Sequence, residues 1–241
     1  MKILDLTFPT PEENLACDEA LLEEFEAGLE GEILRFWEPA QPFVVLGISS
    51  RHDSEVNRSR CRSDQIPILR RVSGGGTVLQ GPGALNYALI LRIRNPGPLA
   101  TIGRTNRFIL ERHRRILESV LKKPVRIQGE TDLTLDGRKF SGNSQRRKKT
   151  HLLFHGSFLF RLDMALMEKL LPIPDRRPDY RADRSHTEFL THLDLPPSTL
   201  KQQLSSAWGA IEPLPLNGSL SDRIGRLVAI RYASDSWTFR L

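Results

Sequence analysis

Cysteine is scarce. Cys17 and Cys61 stand at unrelated positions in 241 residues, which excludes a disulfide framework and a zinc-ligand pattern and predicts a chain of the reducing cytoplasm. Long apolar runs are missing too. No stretch reaches the ~18 apolar residues that a membrane-crossing helix needs, and the opening Met-Lys-Ile-Leu-Asp-Leu reads as a strand, not a signal peptide. Internal repeats and long low-complexity tracts are absent. The 39% hydrophobic content suffices for one large mixed core, or for one domain with a small appendage. Lys and Arg number 35 against 29 Asp and Glu, giving a net charge of +6 and a pI near 9.6. Arg146-Arg147-Lys148-Lys149 and the arginines of 104–115 raise a nucleic-acid-binding alternative, but no helix-turn-helix, zinc or aromatic ribonucleoprotein signature accompanies them. Such runs are usually solvated faces. They equally suit the docking of an acidic protein partner steered by charge.

What is present concentrates in two segments. Residues 70–87 begin Arg70-Arg71-Val72-Ser73-Gly74-Gly75-Gly76-Thr77-Val78. Three glycines without Cβ atoms let a ligand lie against peptide N–H groups. The two preceding arginines are suited to phosphate or carboxylate oxygens. In the second segment, Asp136-Gly137 lies between β-prone runs and predicts a two-residue hairpin turn, because both central positions need positive φ. Continued from that turn, the register pairs Leu135 with Arg138, Thr134 with Lys139, Leu133 with Phe140 and Asp132 with Ser141. Side chains alternate between faces. Leu133 and Phe140 are therefore expected in the core, with Asp132, Thr134, Lys139 and Ser141 together on the other face. Ser141-Gly142-Asn143-Ser144-Gln145 follows as a small polar stretch. Leu152–Phe160 then reads as a strand with His155-Gly156 at its middle, where the glycine suggests close approach by a backbone or ligand.

The remaining periodicity predicts α+β: two mixed β-sheets flanked by helices in one domain. Lys2–Phe8 reads as a strand, Pro11–Glu26 as a helix with proline in its first turn, Ile33–Leu46 as a hairpin, and the residues to Arg62 as a short basic helix or loop. Ile66–Val72 and Ala84–Arg94 bracket the glycines as strands. Arg104–Leu121 is an amphipathic helix with Ile109, Ile116, Leu117, Val120 and Leu121 inward. Leu171–Asp183, rich in proline and charge, is expected as a mobile loop. Ser185-His186-Thr187-Glu188 is a capping box. Leu200–Trp208 is a helix, Glu212–Gly218 a proline-rich linker, and Leu227–Leu241 closes with helix and strand.

Taken in order, these segments resemble the lipoate–protein ligases of the biotin/lipoate ligase superfamily. The matching residues are Arg70-Arg71, Ser73 to Val78, Gly83, Leu85-Asn86, Asp132-Leu133, Gly137 to Lys139, Ser141 to Asn143, Gln145 and His155-Gly156. Weaker matches fall at Asn14–Leu22, Leu34–Trp37, Val44–Gly47, Arg184–Leu190 and Arg231–Trp237. The resemblance implies the ligase catalytic-domain fold and a two-step reaction. Lipoate and MgATP would give lipoyl-AMP and pyrophosphate, and the lipoyl group would pass to a lysine of an apo lipoyl domain, an acidic carrier. It implies Lys139 as the catalytic cation touching acyl carbonyl and phosphate. Arg71, Ser73, Gly74, Gly75, Gly76, Thr77 and Val78 would bind substrate or nucleotide, and Asn86 the nucleotide or phosphate. Ser141, Gly142, His155 and Gly156 would line the groove. Asp132 would hold Mg²⁺ or orient the incoming lysine.

Two positions depart from the family pattern: Gln80 stands where a histidine is common, and Thr131 where an asparagine is common. The resemblance further implies a single catalytic domain over 1–241 without the C-terminal accessory domain of many relatives, and a separate accessory subunit for adenylation. The alternative on this fold is an octanoyl or lipoyl transferase working through a cysteine thioester. Cys17 has apolar helix neighbours and reads as structural. Cys61 lies among Arg58, Arg60 and Arg62, a setting that lowers a thiol pKa, yet far from the transferases' cysteine position. A biotin ligase lacks support because its Gly-Arg-Gly-Arg-type loop is absent.

Overall fold

The computed structural model describes residues 1–241 and has the expected α+β architecture of two mixed sheets with flanking helices. The larger sheet contains β1 (Lys2–Asp5), β2 (Ile33–Trp37), β6 (Ala84–Arg92), β7 (Arg126–Gln128), β8 (Asp132–Leu135), β9 (Arg138–Arg147), β10 (His151–Leu159) and β11 (Glu212–Pro213). Its spatial order is β11-β1-β2-β6-β10-β9-β8-β7. The smaller sheet orders β3 (Phe43–Leu46), β4 (Ile68–Arg70) and β5 (Val78–Gln80) as β4-β3-β5.

Strand β6 shows why the large sheet sits at the centre. Leu85, Tyr87, Leu89 and Leu91 face helices α4 (Ile102–Leu121) and α7 (Pro197–Trp208), packing with Ile109, Leu117, Leu200 and Trp208. The alternate residues Ala88 and Ile90 face α1 (Pro11–Glu26) and α8 (Gly218–Leu227). A strand covered on both sides is apolar throughout, and each fully buried large side chain contributes about 1.5–3 kcal/mol. A third cluster joins Val44, Leu46 and Leu79 of the small sheet to Leu159, to Met167 and Leu170 of α5 (Met164–Leu170) and to Phe189, and the basic stretch before Arg62 forms the short helices α2 (His52–Glu55) and α3 (Arg58–Ser63). Helix α1 starts where proline predicts, behind a Thr10–Glu13 capping box.

Several expected elements differ. Ile33–Leu46 is not a hairpin: β2 pairs with β1 and β6 in the large sheet, whereas β3 belongs to the small one. The connection Glu38-Pro39-Ala40-Gln41-Pro42 has two residues without an N–H, and β2 is buried along its whole length. Only a central position in a covered sheet satisfies it. The Glu212–Gly218 linker contributes β11, which pairs in parallel with β1. The C-terminal segment forms a π-helical turn (Val228–Tyr232) and the short helix α9 (Asp235–Thr238), with no strand. No helix is long and apolar enough to cross a membrane.

Candidate active site

The hairpin of β8 and β9 carries the first surprise. Leu135 pairs with Arg138 and Thr134 with Lys139 as the Asp-Gly turn dictates, with Asp136 and Gly137 both at positive φ. Beyond that point the register shifts. Leu133 pairs with Ser141 and Asp132 with Gly142, so Phe140 is the extra residue of a β-bulge. Leu133 and Phe140 are fully buried in the core as expected. The expected pairing of Asp132 with Ser141 is wrong, and the bulge has a chemical consequence. Strict alternation puts Lys139 and Gly142 on opposite faces; the added residue brings both to one face and turns Ser141 inward. Ser141 is buried and accepts a hydrogen bond from Asn143 Nδ2. Its hydroxyl is part of the sheet's support.

Lys139 Nζ lies 2.8 Å from Asp132 Oδ1, with the two side chains 24% and 11% exposed. Tyr180 donates to Asp132 Oδ2 at 2.7 Å, and burial together with the carboxylate raises its pKa, keeping the hydroxyl protonated. The lysine stem rests on Gly142: a Cβ there would meet Lys139 Cε and Nζ at 2.7 Å. Gly142→Ala should therefore displace the ammonium while leaving the fold nearly unchanged, because the obstructing atoms are the end of a flexible chain. Activity is expected to fall about 10- to 100-fold, as for a misplaced catalytic group, with a melting temperature close to wild type.

The glycine-rich turn reaches the same face from the small sheet. Arg71 Nη2 donates to the carbonyls of Gly74 (2.6 Å) and Gly76 (2.9 Å), and its Nε donates to Ser73 Oγ at 3.1 Å. Burial lowers the Arg71 pKa to about 10. Ser144 of β9 also donates to Gly74 O, at 2.9 Å. The turn's carbonyls are thus drawn toward Arg71 and the sheet, while the amides of Gly74, Gly75 and Gly76 donate no hydrogen bond. Unpaired successive N–H groups form an anion-receptive edge. Arg70, in contrast, is fully buried. It donates to the carbonyls of Gly47, Ser50 and Thr238, each at 2.8 Å, so it anchors backbone and is not available to a ligand.

His155 joins the turn to α1. Its Nε2 lies 2.6 Å from Ser73 Oγ and its Nδ1 lies 3.1 Å from Asp18 Oδ2. Asp18 also pairs with the fully buried Arg35. Burial opposes the charge of Asp18, but Arg35 and His155 outweigh it and lower the carboxyl pKa. An ionised Asp18 accepts a hydrogen bond from Nδ1–H, which leaves Nε2 to accept from Ser73, whose oxygen accepts from Arg71. The chain of contacts fixes the turn through five residues, three of them, Asp18, Arg35 and His155, from other elements. Gly156 is required by packing: a Cβ would stand 2.0 Å from Asn143 Oδ1 and 2.6 Å from Gly142 O.

Asn86, Gln80 and Ser157 close a ring. Asn86 Nδ2 donates to Gln80 Oε1 (3.0 Å), Gln80 Nε2 to Ser157 Oγ (2.7 Å), and Ser157 Oγ to Asn86 Oδ1 (2.6 Å). Gln80 and Ser157 line the cavity beside Lys139, and buried Asn86 holds them. Thr131 and Asn143 exchange hydrogen bonds at 2.7 Å in each direction, which ties the β8 entry to β9. Thr77 and Val78 line the same cavity, with Thr77 donating to Glu55 at 2.6 Å. The stretch expected as a mobile loop, Leu171–Asp183, packs over this cavity: Leu171, Pro172, Pro174 and Arg181 line it. The capping box at Ser185–Glu188 is present, opening helix α6 (His186–Phe189).

Asp132 is the residue expected to hold Mg²⁺ or to orient the incoming lysine. Both carboxylate oxygens are engaged, and nowhere do three or more His, Cys, Asp or Glu residues gather to hold a metal ion. Asp132 fits better as the partner that aims Lys139. Both cysteines are free and buried. Cys17 is fully buried and burial raises its thiol pKa to about 11. Cys61 is 1% exposed, and burial raises its pKa as well, against the lowering expected from its arginine neighbours. Cys61 borders a separate cavity of about 360 Å³ that residues 232–235 line but no residue of the glycine turn or the lysine hairpin does.

Sequence reasoning missed Asp18, Arg35, Glu55, Tyr180 and Arg181. Asp18 carried a signal, being a charged residue on a helix among Leu15, Ala16, Cys17, Ala20 and Leu21, all buried. Arg35 carried the same signal, being a charge between the buried Leu34 and Phe36 of a strand, and Glu55, Tyr180 and Arg181 had none.

Comparison with known proteins places this arrangement. The model of the lipoyl protein ligase A/B catalytic domain matches residues 10–203. A probable lipoate-protein ligase A of Mycoplasma pneumoniae is 34% identical over 175 residues, covering 72% of this chain and 50% of that protein. The octanoyltransferase LipM of Geobacillus kaustophilus is 24% identical over 272 residues, covering 99% and 98%. The chain thus spans about half the length of the curated ligases it matches, and nearly all of a transferase. Among solved structures, the bipartite lipoate protein ligase of Thermoplasma acidophilum, studied with its E2 lipoyl domain, superimposes with a TM-score of 0.85 at 21% identity over 99% of this chain and 95% of that one. A lipoate-protein ligase A bound with ATP gives 0.85 at 20% identity over 99% and 98%. With a family model matched across most of its length and the same fold in both solved relatives, the chain belongs to the lipoyl protein ligase A/B catalytic domain family.

Proposed function

We propose that the chain is an ATP-dependent lipoate–protein ligase, forming lipoyl-AMP and transferring lipoyl to a lysine of an apo lipoyl domain. The observation that carries the reading is the Lys139 ammonium, braced by Asp132 against Gly142 in a lined cavity, while both thiols are buried with raised pKa values. In the first step a carboxylate oxygen of lipoate attacks the α-phosphorus and the bond to pyrophosphate breaks. Two anions must approach, and positive charge with aimed N–H donors lowers that barrier. Lys139 and the unpaired amides of Gly74–Gly76 are such groups. In the second step the acceptor amine attacks the acyl carbon and gives up a proton to solvent, while Lys139 stabilises the oxyanion that forms on the acyl oxygen; the oxyanion collapses as the bond to AMP breaks. Magnesium enters with the nucleotide phosphates, which need few protein ligands.

A solved relative carries ATP and another was studied with its lipoyl domain, which supports the same substrate and acceptor here. The LipM relatives keep a second reading in play: acyl transfer from a carrier through a cysteine, without ATP. The test separates them. Protein is mixed with ATP, Mg²⁺, lipoate and apo lipoyl domain, and acyl-AMP and acceptor mass are read separately. ATP-dependent acyl-AMP is expected, and Cys17→Ala/Cys61→Ala should retain it within about threefold, since neither thiol meets the requirements of a nucleophile. With ATP and lipoate replaced by an octanoyl thioester as donor, acyl transfer that the double substitution abolishes would establish the transferase instead.

A further inference from the structure

Arg181 lines the cavity that holds Lys139, yet neither the family motifs nor the hairpin chemistry accounts for it. It is 4% exposed. Its Nε donates to Arg184 O at 3.2 Å, and its guanidinium lies over the Phe189 ring, 4.7 Å from the centroid. The two terminal nitrogens make no hydrogen bond to the protein, and Nη2 is buried. Glu168 is the carboxylate that acts on it, but Glu168 accepts from Thr187 N and Oγ1 at 2.8 and 3.1 Å. Arg177 and Arg184 add like charge nearby.

A buried guanidinium with two idle nitrogens and no carboxylate of its own is unstable in isolation and calls for an anion. The fork of Nη1 and Nη2 matches two oxygens of a phosphate, a geometry that an ammonium does not offer. Its position is fixed relative to the chemistry: the adjacent Tyr180 donates to Asp132, the partner of Lys139, and Arg184 Nη1 donates to Gly137 O at 3.0 Å. Leu159, Met167 and Leu171 give the cavity apolar walls, while Thr77, Gln80 and Ser157 give it polar ones. That mixture suits a flat base and a ribose.

We propose that Arg181 is a nucleotide-binding residue of this enzyme, holding the phosphate of the adenylate in the cavity that it lines together with Lys139 and sharing its charge with Lys139. The inference rests on the ligase reading and adds a residue to it. Arg181→Met in the full chain tests it through the binding of AMP and adenosine by calorimetry. Wild type should bind AMP more tightly than adenosine. In R181M the AMP affinity should fall about 10- to 100-fold, the contribution of a charge-assisted hydrogen-bond pair, while adenosine binding stays as in wild type. An R181M protein that keeps the wild-type AMP-to-adenosine ratio overturns the assignment and leaves the ligase reading standing. Wild type that binds neither compound overturns both. Should R181M lose adenosine binding as well, R181Q, which keeps a polar stem over Phe189, is read by the same ratio, and a preserved ratio again overturns the assignment.

Discussion

Lys139→Met should lower lipoyl-AMP formation and lipoyl transfer by about 10²–10³-fold each, the range seen when one aimed electrostatic donor is removed from a reacting oxyanion. The fold should survive. Leu133 and Phe140 hold the hairpin in the core, Tyr180 continues to hydrogen-bond Asp132, and the backbone of residue 139 keeps its bond to Thr191 N. The melting temperature is therefore expected within about 5 °C of wild type. Loss in both half-reactions distinguishes a group that touches phosphate and acyl oxygen from one that merely binds lipoate, which would raise KM and spare kcat. Lys139→Arg should fail almost as badly. The ammonium sits where a Gly142 Cβ would be 2.7 Å away, leaving little room for a planar guanidinium. Near-wild-type turnover in K139M would remove Lys139 from the chemistry and, with it, the main support for the ligase reading.

The second large effect is expected at a glycine of a weaker family match, outside the three-glycine turn. Gly47→Ala would put a Cβ 1.9 Å from Gly75 O and 3.1 Å from both Gly75 C and Ser50 Oγ. The nearest of these atoms is backbone, so the turn itself must move. Gly75 is poorly placed to yield: it occupies φ +82, and its neighbours' carbonyls are gripped by Arg71 and Ser144. Overpacking of this kind costs about 1–3 kcal/mol, and adenylation should fall about 100-fold as the free amides lose their aim. Thermal melting and the acyl-AMP assay read the two effects. Gly74→Ala is the contrast. Its Cβ meets nothing within 4 Å and its φ is ordinary, so stability should hold. If a ligand does lie on that turn, G74A still loses activity. Equal activity in G47A and wild type would show that the turn takes no part in the reaction.

The hairpin shows how far local chemistry carries. Asp136-Gly137 and the alternation beside it were enough to place Lys139 opposite Thr134 and to put Leu133 and Phe140 in the core. They were not enough to place Ser141, because a bulge is chosen by what packs on the strand from both sides. Here those neighbours are β10 and the residues under Phe140. The β2–β3 connection failed for a similar reason: two short apolar runs look like a hairpin until a second sheet claims one of them. Arg70 and Arg71 are identical in the chain, yet one is buried against carbonyls of three distant residues and the other braces the turn. The segment 171–183 reads as a loop by composition, and only its seating on the β8–β9 hairpin makes Tyr180 and Arg181 part of the site.

By itself, then, the order of residues determined the family, the α+β class, and the three-glycine turn and lysine hairpin as the candidate site, since these depend on contacts a few residues long. Only the folded molecule decided which charges meet. Asp18 reaches His155 across 137 positions and Arg181 enters a cavity built from six separate segments, and no local pattern encodes the partner of a buried charge.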